Sequence, residues 1–188
     1  MSSAFIQTFT QNVAYHSDPT AIFATLCENK PNTLLLESAE ISSKNSLKSL
    51  LLVNAAMKIS CLRQSVTFHA LTDNGAAVLP LIAQKLSAQV NVISQTSTEL
   101  QVEFKPAGNN ADEDSKLLAP GIFDGLRCFT ELYQASSLPV FLGGLFAYDL
   151  VANFIPMENI ILQDDGITCP DYCFYLAEQL LVIDHQLQ

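Results

Sequence analysis

Positive charge is scarce in this chain, and that scarcity sets the first limits on what it does. Its 188 residues hold nine Lys+Arg against nineteen Asp+Glu, a formal net charge of −10. No stretch forms a basic stripe, so nucleic-acid binding lacks its electrostatic footprint. Only Arg63 and Arg127 offer a guanidinium fork, and neither sits beside a phosphate cradle. A dianion-binding active site built from this chain alone is therefore not expected. The shortage is uneven: residues 1–98 carry a net charge of +1, and residues 99–188 carry −11. Charged residues of either sign reach only 15% against 49% apolar, the reverse of what a disordered chain needs.

Long apolar runs are lacking too. The longest, Leu138 to Phe154, is interrupted by Gly143, Gly144, Asp149 and Asn153. It falls short of the roughly 20 apolar residues of a membrane span. Residues 1–17 carry no positive charge ahead of an apolar core, so no secretory signal is expected. The five cysteines are scattered and odd in number. A chain this long buries roughly 70% of its unfolded surface without disulfides, so a reduced, cytoplasmic protein is expected.

Catalytic and metal motifs do not announce themselves. His16, His69 and His185 share no ligand spacing, and Cys169 to Cys173 is C-x-x-x-C rather than C-x-x-C. Asp112-Glu113-Asp114 lacks the glycine and distal glutamate of a calcium loop. Gly143-Gly144 lacks the continuation that wraps a phosphate, and reads as a place where two backbones approach closely. No catalytic residue and no metal ligand is assigned.

Pattern, by contrast, is plentiful. Asp18-Pro19-Thr20 opens a short helix through Cys27, with Ser17 or Asp18 as N-cap. Thr33 to Ser38 is β-like, and Leu50 to Val53 and Met57 to Cys61 read as two strand pieces around a bend at Asn54. Ser65 to Leu71 and Glu99 to Lys105 alternate as half-buried strands. Thr72 caps a helix through Leu86, and Phe123 to Tyr133 has helical spacing. Val140 to Asp149 passes from strand towards helix, and Tyr172 to His185 ends in a strong strand. Residues 41–46, 106–120 and 159–170 read as loops. About six strands and four helices without strict alternation predict an α+β fold, mixed and mainly antiparallel, with flanking helices. The last strand closes just before the chain does, which predicts an edge strand or a continuing chain, and we expect the latter.

One place has chemistry. Leu36-Glu37-Ser38 ends an apolar strand with a carboxylate and a hydroxyl, and Lys48 follows a polar loop. The glutamate suits a ligand ammonium, the lysine a carboxylate and the serine a directional hydrogen bond. An ordinary strand end with a salt bridge is the alternative.

The run Asn32-Thr33-Leu34-Leu35-Leu36-Glu37-Ser38-Ala39, followed by Leu47-Lys48-Ser49-Leu50-Leu51-Leu52-Val53, resembles the N-terminal region of the anthranilate synthase component I family. So do Phe141 to Val151 and Cys169 to Glu178, in the same order, and the resemblance spans the chain except around residues 106–120. It implies residues 1–188 as an N-terminal, regulatory region of a two-sheet fold, with the catalytic C-terminal region absent. The family joins chorismate to ammonia from a glutaminase, component II, and releases pyruvate and anthranilate for tryptophan synthesis. Its catalytic residues and Mg2+ ligands lie beyond this chain, so the fragment alone is expected to be inactive. Feedback inhibition by L-tryptophan uses the L-L-E-S strand. By resemblance Ser38 bonds the ligand, Leu36 and Glu37 line the pocket, and Lys48 lies nearby. Missing partner strands imply exposed apolar surface and self-association. Two alternatives stay open: the large subunit of aminodeoxychorismate synthase, and a stand-alone amino-acid-binding regulatory module.

Overall fold

A computed structural model describes residues 6–37, 48–105, 119–133, 139–154 and 169–186. The loop expected over 41–46, most of those over 159–170 and 106–120, and Ser38 lie outside the described residues.

The chain opens on helix α1 (Pro19–Cys27), where the Asp18 carboxylate accepts from the Ala21 N–H at 2.9 Å and Pro19 occupies the first turn. Strand β1 (Leu34–Glu37) leads to β2 (Lys48–Leu62), then β3 (Ser65–Ala70). Helix α2 (Asp73–Leu86) follows, with β4 (Val90–Gln95) and β5 (Glu99–Phe104) after it. Beyond residue 118 come a single turn, α3 (Asp124–Arg127), continued as a 3-10 turn, then β6 (Leu142–Phe146) and β7 (Tyr172–Asp184).

The seven strands form one sheet in the order β4-β5-β3-β2-β7-β6, with β1 also on β2, and every pairing is antiparallel. The fold is α+β, as the irregular alternation of elements predicts. Two details differ from the sequence reading. The two pieces around Asn54 are one 15-residue strand, and the expected bend is a run of bulges between Leu52 and Met57. A bulge adds a residue without ending the ladder, so one strand gives two patterns. Strand β4 was not expected, because Val90 to Gln95 is mostly exposed and carries a single short alternation. Of the two alternatives for β7, the edge strand is set aside over Tyr172–Leu176, where it lies between β2 and β6.

Most of the core lies between the sheet and α2. Leu79, Ile82 and Leu86 recur at helical spacing and are buried, against Ile59, Val66, Phe68, Leu100, Val102 and Phe104. Pro80 sits within α2 and forfeits one backbone bond there. Gly144 bears out the expected close approach: a Cβ at this position would run into the Cys173 carbonyl and the Phe174 backbone on β7.

Candidate functional site

The strand end singled out by sequence becomes a corner of three strands. In the antiparallel ladder, Leu36 faces Leu50, which faces Val182, and Glu37 faces Ser49, which faces Ile183. Lys48 faces Asp184 at the last rung. Cross-strand partners share a sheet face and successive residues alternate, so the corner has two distinct sides. One side carries Leu36, Leu50 and Val182 with Lys48 and Asp184 at the rim. The other carries Glu37 and Ser49.

Thus the structure brings Leu36 and Lys48 together and sets Glu37 on the opposite face. The Lys48 Nζ lies 3.5 Å from the Asp184 carboxylate, so the carboxylate beside this ammonium comes from β7. Leu36 and Val182 remain 41% and 49% exposed, an open apolar strip next to the charge pair. This side offers one cation, one anion and a hydrophobic floor to a small ligand.

Beneath the opposite face lies a link the sequence did not reveal. Ser49 is 2% exposed, and its hydroxyl lies 3.0 Å from His185 Nε2. The Tyr15 hydroxyl lies 3.2 Å from Nδ1 of the same ring, and the two rings meet edge-on. Asp184, Ser49, His185 and Tyr15 could not be grouped from spacing, since Ser49 and His185 are 136 positions apart. The polar Asp184-His185 pair closing an apolar strand was the one available signal.

At the other end of β2, Asp171 is 9% exposed and accepts from the Arg63 N–H at 2.5 Å and the Asn153 amide at 2.8 Å. This clamps the β2–β3 turn, where Arg63 has φ 56°. Burial pushes the Cys61 thiol up to about 12, helped by the nearby Asp171 charge, and does the same at Cys128, helped by Asp124. Both act as core groups, as expected for buried thiols. Tyr172 is also raised by burial, and its hydroxyl donates to the Ile122 carbonyl at 2.8 Å. Among the described residues no three His, Cys, Asp or Glu side chains gather as metal ligands, and no helix is long and apolar enough to cross a membrane.

The fold and this corner define an α+β protein with a partly apolar, partly charged surface at one end of its sheet. No family model matches the chain. It is 58% identical over all 188 residues to anthranilate synthase component 1 of Haemophilus influenzae, of which it covers 36%. The proteins of that name from Salmonella typhimurium and Escherichia coli are 45% and 44% identical over 185 residues, or 96% of this chain and 35% of each relative. Over its whole length the chain is similar to the N-terminal third of curated relatives that bear the name anthranilate synthase component 1. It spans about a third of the length of the curated relatives it matches.

Proposed function

We propose that this chain is the N-terminal, regulatory portion of anthranilate synthase component I, and that it contributes to a feedback site for L-tryptophan. The observation that carries this reading is the match along the whole chain to one third of relatives bearing that name. That name also favours it over aminodeoxychorismate synthase. In this reading the whole protein is a cytoplasmic lyase that converts chorismate and ammonia to anthranilate and pyruvate. Component II is the glutaminase that supplies the ammonia. The Mg2+ ligands belong to the C-terminal region, and no step is assigned to the metal here.

Leu36, Glu37, Ser38 and Lys48 form this chain's share of the tryptophan site. The corner itself supports Leu36 and Lys48, while Glu37 lies on the other face of the strand end and enters, with Ser38, by resemblance alone. An apolar strip beside a paired cation and anion suits a zwitterion with a large apolar side chain. Tryptophan inhibits by preferring the inactive arrangement of regulatory and catalytic regions, since a ligand binding both equally shifts nothing. Alone, the 188-residue chain is inactive and self-associates through apolar surface such as Phe146 and Phe154, each more than half exposed.

The test is a chimera in which this chain replaces the matching N-terminal third of the Haemophilus influenzae relative. Anthranilate formation from chorismate, ammonium and Mg2+ is followed by product fluorescence and titrated with tryptophan. Activity with inhibition is expected, and Ser38→Phe should move the inhibition curve to higher tryptophan. A folded chimera that makes no anthranilate, or one that tryptophan does not inhibit, would overturn the corresponding half of the proposal. Anthranilate made by the 188-residue chain alone would overturn its assignment as an inactive portion.

A further inference from the structure

We propose that His185 is a positioning residue for the tryptophan site, holding the sheet corner in register through Ser49 and Tyr15. The inference rests on the feedback-site reading above. Both imidazole nitrogens lie within hydrogen-bond distance of hydroxyls, Ser49 at 3.0 Å and Tyr15 at 3.2 Å. The ring therefore joins three parts of the chain that are distant in sequence: the segment before α1, the start of β2 and the end of β7.

What needs holding is the last rung. Lys48 and Asp184 lie there, immediately before Ser49 and His185 in the chain. Their charge pair is half open to water, with side-chain exposures of 51% and 23%, and such pairs contribute little against fraying. The Ser49–His185 contact is different. Ser49 is buried, so losing His185 removes the side-chain partner its hydroxyl has among the described residues. The link on the covered face thus fixes the backbone that aims Lys48 on the open face, and through the Glu37–Ser49 rung it steadies the end of β1. Hydroxyls both donate and accept, so the ring is held whichever nitrogen carries the proton.

The chimera described above tests this. His185→Ala should raise the tryptophan concentration for half-inhibition about fivefold, mainly through loss of the Ser49 hydrogen bond, since the Tyr15 contact is exposed. Ser49→Ala should do the same, and Tyr15→Phe should act more weakly because that contact is exposed. His185→Gln, which keeps a donor and an acceptor, should return half-inhibition to within about twofold of the starting value. His69→Ala serves as the control, since His69 lies on β3 and pairs with Glu99. An inhibited chimera whose curve does not move with His185→Ala overturns the positioning role alone. A shift that Gln does not rescue also overturns it, as loss of the hydrogen bonds is then not the cause. A chimera that is active and insensitive to tryptophan overturns the feedback reading, and this inference with it. If His185→Ala does not fold, amide hydrogen exchange of Ser49 and Leu50 in Tyr15→Phe decides. Faster exchange there than in the starting protein supports the link, and equal exchange overturns it.

Discussion

The two ends of β2 are built from different materials. From Met57 to Cys61 it runs between β3 and β7, and Met57, Ile59 and Cys61 are at most 1% exposed. From Lys48 to Leu52 it runs between β1 and β7, and the same strand mixes buried leucines with a buried serine and an exposed lysine. The first end is held by apolar packing under α2. The second is held by a ladder, a hydroxyl–imidazole link and a charge pair, and leaves an apolar strip uncovered. A strand that is all core gives stability and no room for a ligand. A strand that changes character along its length anchors a site on one end with rigidity borrowed from the other.

That contrast can be tested by breaking each end in turn. The largest effect is expected from Phe68→Ala, which empties a fully buried ring position beneath α2. It should cost about 3–5 kcal/mol in urea unfolding, enough to leave the domain marginal. Alkaline pH should weaken the same end. The Cys61 and Cys128 thiols are raised from 9.0 to about 12, so between those values the unfolded chain releases protons that the folded chain keeps. Stability is therefore full below pH 9 and falls as pH rises towards 12, and thermal melts across that window should show it. A flat profile would mean the thiols are not desolvated. Asp171→Ala should come next, at about 1–3 kcal/mol, because it removes the buried carboxylate that accepts from both the Arg63 N–H and the Asn153 amide. The smallest change in stability is expected at the other end. Lys48→Met should alter unfolding by less than about 1 kcal/mol, since the pair with Asp184 is solvent-exposed. In the chimera the same substitution should nevertheless raise half-inhibition by tryptophan. Equal stability losses from Phe68→Ala and Lys48→Met would erase the distinction between the two ends.

Much of the core end was legible beforehand. The alternation of Val66, Phe68 and Ala70 gave β3, and Thr72 marked the start of α2, where its hydroxyl accepts from the Gly75 N–H at 3.3 Å. Local capping and period-two burial leave local traces. The bulged middle of β2 was read as a break because register shifts between Leu52 and Met57 disturb the period on which the reading depends. Strand β4 was missed because an exposed outer strand has no buried face to write into its sequence. At the site end, Leu36, Glu37 and Lys48 were singled out, yet their division between two faces was not visible. That division follows from which residue of β2 sits opposite which residue of β1, a matter of register across a loop.

By itself, then, the sequence determined the class of fold, the helix starts, most strands, the exclusion of basic surfaces, and the resemblance to one family through the order of its motifs. These depend on side-chain types a few positions apart, where spacing along the chain stands in for spacing in the fold. Only the tertiary structure decided that Asp184 faces Lys48, that His185 reaches both Ser49 and Tyr15, and that Asp171 clamps the turn at Arg63. Those partners lie more than a hundred residues apart, and nothing in the local chemistry of one names the other until the sheet has brought them together.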